Sequence, residues 1–342
     1  MISYLQNIAI GPLRQGLTKL VGSPASSVWR WSPRGSTGAS LPARLWSARG
    51  EELRRRSRNG SSLAVLLVLV VSACTTQNGA GQAAHVVVVV EENHTLNQIL
   101  GSPRAPFLNQ LASRGVLLTA YHAITHHSLP NYLAMVSGRT QGITTSDCTG
   151  CTLTGPNLAS QLEHAGIPWK AYMQGLPAPC SDVAHLGAYV KRHDPFVYFG
   201  AVRRSPGQCH KVVPFSQFAT DLAAGRLPRF AFVVPDLEHD MHDGPVSVAD
   251  GWLRDLYSRL VASSGWRPDT RLVVTFDEGT ADDNRVFTVV TGPRVRPRLD
   301  DTVYSHYSLL RSVETLFGLP HLGHAADTST ATIPALADAN NL

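Results

Sequence analysis

The sequence predicts an α/β fold in which helices cover both faces of a mostly parallel central sheet. A run of five valines at 86–90 is typical of a strand that is buried on both faces of a parallel sheet. Strand-like runs alternate with helix-like segments along the rest of the chain, which is the pattern of a doubly covered sheet. Acidic clusters follow three of the predicted strands, at the end of the sheet where such folds bind ligands.

The individual elements follow from local patterns. The predicted strands are 85–90, 169–173, 230–234, 272–276 and 286–290. The predicted helices are 106–114, 129–137, 155–165, 248–262 and 306–317. The second of these helices has Pro130 in its first turn, where a missing N–H costs nothing, and Gly138 at its end. The segment 148–214 is otherwise irregular, and we interpret it as a cysteine-containing insertion that caps the site.

The chain divides into unequal parts. We predict a leader at 1–73, a tether at 74–84, the main domain at 85–325 and a C-terminal tail at 326–342. The leader holds 10 of the 30 basic residues and 2 of the 25 acidic ones, so the rest of the chain is slightly acidic. The basic character of the whole sequence therefore gives no reason to expect a nucleic-acid partner. The domain is expected to be a monomer.

The leader resembles an export signal. Arginines at 54–58 precede an uncharged apolar run at 63–71, which is too short to span a bilayer but fits a signal peptide. The segment Val71-Ser72-Ala73-Cys74 then resembles a lipobox, which predicts a surface lipoprotein anchored to the membrane through lipidated Cys74. The alternative is an ordinary signal peptide and a secreted protein. Residues 1–50 fit neither pattern, and we interpret them as an over-long N-terminus.

Four further cysteines lie within the predicted insertion. An exported protein meets oxidising conditions, so these cysteines are able to pair, and three pairings are possible. We favour two structural disulfides, Cys148–Cys151 and Cys180–Cys209. The Cys-x-x-Cys spacing also occurs in redox-active and zinc sites, although no accompanying motif supports either reading.

Ser128 is the candidate nucleophile. It directly precedes the apolar stretch of the predicted 129–137 helix, so its hydroxyl would lie at a helix N-terminus, where free N–H groups and the helix dipole favour a phosphate. A serine in this position is more often a simple N-cap. Carboxylates gathered nearby would change that interpretation, since they would hold a divalent cation that activates the hydroxyl.

Five motifs occur in order along the chain. They are Glu92-Asn93-His94, the segment 127–132 (HSLPNY), the segment 235–244 (PDLEHDMHDG), Asp277-Glu278 and the segment 306–311 (HYSLLR). Together they resemble the phosphoesterase family of bacterial acid phosphatases and phospholipases C, within the alkaline-phosphatase superfamily. The resemblance covers residues 84–324 and is far more specific than any single motif. It implies an alkaline-phosphatase-like fold and a phosphoric ester hydrolase of the acid-phosphatase type.

The resemblance also implies a role for each position. Ser128 would be the nucleophile and a metal ligand, and His242 and His306 would assist catalysis. The remaining implied metal ligands are Glu92, Asn93, Asp240, Asp277 and Glu278. Residues implied to contact the substrate phosphate are Asn131, Lys191 and His193.

The implied cofactor is a divalent metal ion. Two-zinc members of the superfamily carry Asp where Glu92-Asn93 stands and His where Glu278 stands. These departures leave an oxygen-rich site, which favours Mg²⁺, Ca²⁺ or Mn²⁺ while keeping Zn²⁺ open.

Three functions fit the sequence. The first is a phosphate monoesterase acting through a phosphoserine, on substrates that include lipids such as phosphatidylinositol 3-phosphate. The second is a phospholipase C, which cleaves a phosphodiester in the same fold. The third is a non-catalytic surface lipoprotein, which predicts loss of the nucleophile and ligand positions, and those positions are present.

Overall fold

The computed structural model describes residues 84–338. Its strands are β1 (His85–Glu91), β2 (Val116–Leu118), β3 (Tyr121–His122), β4 (Trp169–Met173), β5 (His185–Leu186), β6 (Tyr189–Val190), β7 (Val212–Pro214), β8 (Phe230–Val234), β9 (Thr270–Phe276), β10 (Thr288–Thr291), β11 (Arg298–Asp300) and β12 (Tyr304–Ser305). Its helices are α1 (Leu96–Ile99), α2 (Pro106–Arg114), α3 (Ser128–Ser137), α4 (Leu158–His164), α5 (Gly200–Arg203), α6 (Pro206–Cys209), α7 (Ser216–Ala223), α8 (Val246–Ala262), α9 (His306–Phe317) and α10 (Pro334–Ala337). Short 3-10 turns occur at Lys191–His193, Pro195–Tyr198 and Gly323–Ala326.

Eight strands form the central sheet in the order β11-β2-β10-β9-β1-β8-β4-β7. Strand β1 lies in the middle and runs parallel to β9 on one side and β8 on the other. Only β10 runs against the others, pairing antiparallel with both β9 and β2. The predicted α/β fold with a mostly parallel sheet is therefore confirmed.

Local sequence explains the elements that carry the site. Every residue of β1 is buried, as the valine run predicts for a strand covered on both faces. Helix α3 ends at Gly138, whose left-handed φ of 67° suits glycine. Helix α4 begins later than predicted because the Asn157 side chain caps it by accepting the N–H of Ser160 at 3.0 Å.

The predicted insertion is smaller than the segment 148–214. Strands β4 and β7 within that segment pair with each other and belong to the central sheet. The true excursion is the chain between them, residues 174–211, which folds back over the carboxyl end of the sheet. Both predicted disulfides are present, with Cα–Cα distances of 5.4 Å for Cys148–Cys151 and 5.1 Å for Cys180–Cys209.

The C-terminal segment belongs to the core. Ile333, Ala335 and Leu336 are fully buried, although the sequence analysis placed them in a tail. The Ile333 N–H donates to the Ser312 hydroxyl of α9, and the buried Arg271 donates to the Ala335 carbonyl. The compact fold therefore extends past 325 to at least residue 337.

The leader and most of the tether, including the predicted signal and Cys74, lie outside the described residues. Within residues 84–338, none of the helices combines the length and the apolar character that a membrane-spanning helix requires.

Candidate active site

Three neighbouring parallel strands deliver acidic residues to one edge of the sheet. Glu92 follows β1, Asp277 follows β9, and Asp240 lies in the loop after β8. Backbone hydrogen bonds continue past the strands: the Glu92 N–H donates to the Asp240 carbonyl at 2.8 Å, and the Asp277 N–H donates to the Glu91 carbonyl at 2.9 Å. The three loops are thus held together where the sequence predicted a site.

Ser128 is the first residue of α3, and its side chain faces this edge. Its Oγ donates to Glu92 Oε2 at 3.1 Å and lies 3.4 Å from Glu278 Oε1. His127 is the N-cap residue, and no side chain caps the helix. The N-cap interpretation of Ser128 is therefore wrong: its hydroxyl interacts with carboxylates, beside helix N–H groups that have no intrahelical acceptor.

Glu92 occupies the centre of the cluster and is fully buried. While Oε2 accepts from Ser128, Oε1 accepts from the Tyr132 hydroxyl at 2.6 Å and lies 3.3 Å from His193 Nε2. Tyr132 stands one helical turn after Ser128, so both contact the same carboxylate from one face of α3. One glutamate therefore links the Ser128 hydroxyl to the ring of His193.

Asp277 and Glu278 lie on the other side of Ser128. Asp277 Oδ1 accepts the N–H groups of Asn93 at 3.2 Å and Glu278 at 2.6 Å. Glu278 Oε2 accepts from the backbone N–H of His127 and from His126 Nδ1, both at 3.0 Å. Glu278 therefore fixes the peptide immediately before Ser128.

Asp240 and His193 form the third side. His193 Nδ1 lies 3.4 Å from Asp240 Oδ2, so the imidazole stands between the carboxylates of Asp240 and Glu92. The ring also stacks on Tyr132 at a centroid distance of 5.2 Å. Glu92, His193 and Asp240 each offer a ligand atom within 4.8 Å of the others and are all buried, so they are able to hold a metal ion.

Burial changes the charge state of this cluster. Burial, reinforced by the charges of Asp277 and Asp240, raises the pKa of Glu92 well above its usual value. Burial likewise raises the pKa of Asp240 to about 7 and, together with the charge of Glu278, that of Asp277 to about 8. Burial lowers the pKa of His193 well below its usual value, so its ring is neutral and able to act as a ligand.

The donor set fits a divalent cation. Asp240 Oδ2, Asp277 Oδ2 and His193 Nε2 are buried and have no hydrogen-bond partner. Orphaned buried groups of this kind are costly, and several carboxylates so close together repel one another unless protons or a cation neutralise them. Oxygen ligands dominate, which suits Mg²⁺, Ca²⁺ or Mn²⁺, and His193 adds a nitrogen that keeps Zn²⁺ open.

Strained backbone surrounds the site. Asn93, His127 and Met241 have φ values of 59°, 83° and 76°, in the left-handed region that non-glycine residues rarely adopt. Each is directly adjacent to a residue of the cluster, namely Glu92, Ser128 and Asp240. Such strain concentrates at functional sites because the surrounding structure enforces it.

Lys191, predicted to contact phosphate, and His306, predicted to assist catalysis, have other partners in the fold. Lys191 is buried, pairs with Asp182 and sits over the Tyr198 ring at 4.7 Å, so its charge already has a partner. His306 is also buried. Its Nε2–H donates to the Asp277 carbonyl at 2.6 Å, and its Nδ1 accepts from the Tyr121 hydroxyl at 3.1 Å. With both nitrogens engaged, His306 holds the end of β9 in place and has no free ring nitrogen for a ligand.

Asn131 is likewise committed to the fold. Its Oδ1 accepts the N–H groups of Ile124 and Thr125, and its Nδ2 donates to the carbonyls of Thr125 and His127. It therefore shapes the loop before Ser128 and has no free group for the phosphate.

Two further predicted residues lie beside the cluster. The Asn93 contact to the cluster runs through its backbone N–H, as described above. His242 lies at the rim, where its ring stands 6.0 Å from that of His193 and its Nδ1–H donates to Asp243 at 2.7 Å.

Sequence reasoning missed three residues of the site. Tyr132 carries a detectable signal, because it follows Ser128 by one helical turn. His126 and Arg192 are adjacent in sequence to residues with predicted roles. The orientation of their side chains depends on loop conformation, which no periodic sequence pattern predicts. His193 was assigned to phosphate, whereas the structure places it among the candidate metal ligands.

Comparison with known proteins shows the family of this sequence. The sequence matches the Phosphoesterase family over residues 102–320. It is 37% identical to a phosphatidylinositol-3-phosphatase of Mycobacterium tuberculosis over 246 residues, which is 71% of this chain and 80% of that protein. It is 34% identical to an acid phosphatase of Aspergillus fumigatus over 226 residues, covering 62% of this chain and about half (51%) of the fungal protein.

Solved structures resemble the fold. A Vibrio parahaemolyticus protein of the alkaline phosphatase superfamily aligns with a TM-score of 0.50 at 16% identity, covering 72% of this chain and 70% of that one. A phosphonate monoester hydrolase from Silicibacter pomeroyi aligns with a TM-score of 0.51 at 13% identity, covering 74% and 76%. The alkaline-phosphatase-like architecture predicted from the sequence is thereby confirmed.

Proposed function

Because this chain belongs to the Phosphoesterase family and is a phosphoric ester hydrolase, we propose that it hydrolyses phosphate monoesters through a phosphorylated Ser128 at a metal-assisted site. The observation that carries the proposal is the position of Ser128 Oγ. It lies at a helix N-terminus and within 3.1 Å and 3.4 Å of two buried carboxylates. A hydroxyl in this position lies beside a proton acceptor and beside N–H groups that bind anions, so it can attack a phosphoryl group bound there.

The reaction has two steps. Ser128 Oγ bonds to phosphorus while its proton passes to Glu92 Oε2, the closest carboxylate oxygen. The bond from phosphorus to the ester oxygen breaks, and the leaving oxygen takes a proton from Nε2 of His242, which we assign as the acid at the rim once Nε2 has gained a proton from solvent in the substrate complex. Water then attacks the phosphoserine and gives a proton to His242, the Ser128–phosphorus bond breaks, and Ser128 regains its proton from Glu92 as inorganic phosphate leaves.

The metal would be held by Glu92, Asp240, Asp277 and His193, with Glu278 and Asn93 beside them. When bound, the metal would lower the pKa of the Ser128 hydroxyl and neutralise phosphoryl oxygens. The protein's own residues orient the site. Glu278 holds the peptide before Ser128, Tyr132 holds Glu92, and His306 holds the strand end that bears Asp277.

Substrate and location complete the proposal. The Mycobacterium relative is named for a phosphoinositide substrate, so we include lipid phosphates such as phosphatidylinositol 3-phosphate among the monoesters to be tested. We further propose that the protein is exported and anchored at lipidated Cys74. Mass spectrometry of the protein from its native host tests this, because an unmodified Cys74 would exclude the anchor.

Ser128→Ala tests the nucleophile. It keeps the helix N–H groups and the carboxylates, so the variant should fold and still bind vanadate while kcat falls by about four orders of magnitude or more. Ser137→Ala, at the far end of the same helix, is the matched control: its hydroxyl donates to the Leu133 carbonyl, so its loss affects stability and not kcat. Near-normal kcat in Ser128→Ala would refute the mechanism.

Removal of the metal tests the cofactor, and paired substrates test the reaction class. Chelation should abolish turnover of p-nitrophenyl phosphate, and titration with Mg²⁺, Ca²⁺, Mn²⁺ or Zn²⁺ identifies the ion that restores it. Full activity after chelation would exclude the metal. Faster turnover of bis-p-nitrophenyl phosphate than of the monoester would favour the phospholipase C reaction over the one proposed.

A further inference from the structure

We propose that Arg192 makes this site select dianionic phosphate monoesters over monoanionic diesters. In the free protein the Arg192 guanidinium pairs with Asp147, and a bound phosphate replaces Asp147 as its partner. The inference rests on the proposed function and adds a residue that determines its specificity.

Arg192 and Lys191 are adjacent, yet the short 3-10 turn Lys191–His193 directs them to different places. Lys191 is buried against Asp182 and Tyr198. Arg192 reaches the rim, where one guanidinium nitrogen lies 3.3 Å from His242 Nε2 and another lies 4.0 Å from Asp147. The cation at the rim is therefore Arg192, next in sequence to the candidate ligand His193.

A chain of contacts runs from Ser128 to this guanidinium and on to the residue before Ser128. Ser128 contacts Glu92, and Glu92 contacts His193. Asp240 contacts His193 and also accepts the His242 N–H at 2.8 Å, and His242 contacts Arg192.

The chain of contacts then returns to its start. Arg192 contacts Asp147, the neighbouring Ser146 hydroxyl lies 3.0 Å from His127 Nδ1, and His127 precedes Ser128. Because these contacts start at Ser128 and end at its neighbour His127, we infer that Arg192 lies within reach of a phosphoryl group at Ser128.

The present partners of Arg192 are weak. Asp147 is separated by 4.0 Å, and its side chain is 61% exposed, so water screens the pair strongly. His242 offers a neutral acceptor, because its Nδ1–H donates to Asp243 and its Nε2 is left to receive the guanidinium. A phosphate offers two oxygens that match the planar fork of arginine, and such bidentate, charge-assisted bonds are stronger than either contact.

Charge explains the selectivity. A monoester dianion carries one more negative charge than a diester and has three free oxygens where the diester has two. The diester replaces the third free oxygen with an ester group, which accepts poorly and adds bulk at the rim. Loss of Arg192 should therefore weaken monoester binding much more than diester binding.

The experiment compares Arg192→Gln, Arg192→Lys and Asp147→Asn in the metal-loaded protein. For Arg192→Gln, kcat/KM on p-nitrophenyl phosphate should fall about 10- to 100-fold, mainly through KM, while kcat/KM on bis-p-nitrophenyl phosphate changes less than about threefold. Arg192→Lys keeps the positive charge but loses the planar guanidinium fork. Its kcat/KM on p-nitrophenyl phosphate should therefore lie between those of the wild type and Arg192→Gln. In Asp147→Asn, inorganic phosphate should inhibit about two- to fivefold more strongly, because its competitor is gone.

Arg203→Gln is the matched control. Arg203 lies in the same excursion and pairs with Asp182 away from the rim, so its loss should leave the monoester-to-diester ratio unchanged. Equal losses on both esters, or an unchanged ratio in Arg192→Gln, would overturn the proposal and leave Arg192 a structural residue. If Arg192→Gln melts below the assay temperature, an unchanged ratio in Arg192→Lys and unchanged phosphate inhibition in Asp147→Asn overturn it instead. A wild-type protein inactive on monoesters, or an active Ser128→Ala, would refute the proposed function itself.

Discussion

His193 and His306 stand on opposite sides of the same acidic cluster, and both were predicted to be functional. Both are buried, and burial lowers the pKa of each, in the case of His306 to about 4. Their partners differ. His193 stands between the carboxylates of Glu92 and Asp240, whereas His306 is bound by a tyrosine hydroxyl and the backbone carbonyl of Asp277.

The comparison teaches that burial does not distinguish a ligand from a structural residue, whereas the partners do. Hydroxyl and carbonyl groups satisfy a neutral imidazole completely and leave it nothing further to bind. The carboxyl groups of Glu92 and Asp240 that flank His193 have raised pKa values, so a cation is needed to stabilise their ionised forms, and Nε2 of His193 has no hydrogen bond. The His193 side therefore needs a cation, and the His306 side does not.

The largest expected effect comes from His193→Gln. Loss of a buried nitrogen ligand should weaken metal binding and reduce kcat/KM at limiting metal by about 1,000-fold, since even residues that only support ligands account for 10- to 100-fold. Isothermal titration of the folded variant with the activating metal separates metal affinity from activity. Unchanged metal affinity would show that His193, like His306, is a structural residue and not a metal ligand.

The next effect is on the pH dependence of stability without metal. Asp240 and Asp277 have pKa values raised to about 7 and about 8 in the fold, so the folded state holds more protons than the unfolded one up to those values. Stability should therefore fall as pH rises from 6.5 to 8.

Melting temperatures measured across this range should drop by several degrees in chelator and much less with metal. The loss that remains with metal reflects buried acids outside the ligand set: burial raises the pKa of Glu314 to about 8, that of Asp194 to about 7, and that of Glu91 well above its usual value. An identical pH profile with and without metal would contradict a cation at the His193 side.

His306→Phe comes third. It leaves the Tyr121 hydroxyl and the Asp277 carbonyl unpaired and buried, which should cost about 2–4 kcal/mol of unfolding free energy, measured by urea denaturation. Activity at saturating metal should fall less than about tenfold, because the residue positions Asp277 and does not touch the substrate. A loss of activity as large as that of His193→Gln, at normal stability, would return His306 to the catalytic group.

A pair of matched tyrosines gives the smallest effects. Tyr132→Phe removes the donor to Glu92, and Tyr121→Phe removes the donor to His306. Each should cost about 1 kcal/mol of stability, but only Tyr132→Phe should also change metal affinity. Equal effects of both variants on metal affinity would contradict the assignment of the metal to the His193 side of the cluster.

Much of this site could be predicted because a parallel sheet brings the ends of its strands together. The valine run identified β1, and the acidic residues after β1, β8 and β9 were correctly expected at one edge. Ser128 was placed at a helix start by Pro130 and Gly138, whose backbone preferences are local. These predictions depend on periodicity and turn chemistry, which a single sequence contains.

The remainder depends on tertiary contacts. Whether Lys191 or Arg192 faces the substrate is decided by the direction of one short turn, and both residue types suit either place. The role of His306 follows from Tyr121, which is 185 residues away. The burial of Ile333 and Leu336 depends on packing against α9, which the short apolar segment near the C-terminus does not specify.

The three left-handed residues beside the site have a consequence for how this protein tolerates change. Asn93, His127 and Met241 each hold a backbone conformation that disfavours a side chain by about 1 kcal/mol or more. Glycine in their place would relax that strain, so the search for more heat-resistant variants should repeatedly select these positions. The same relaxation would let Glu92, Ser128 and Asp240 move away from their present positions. The more heat-resistant enzyme would therefore have the lower turnover rate.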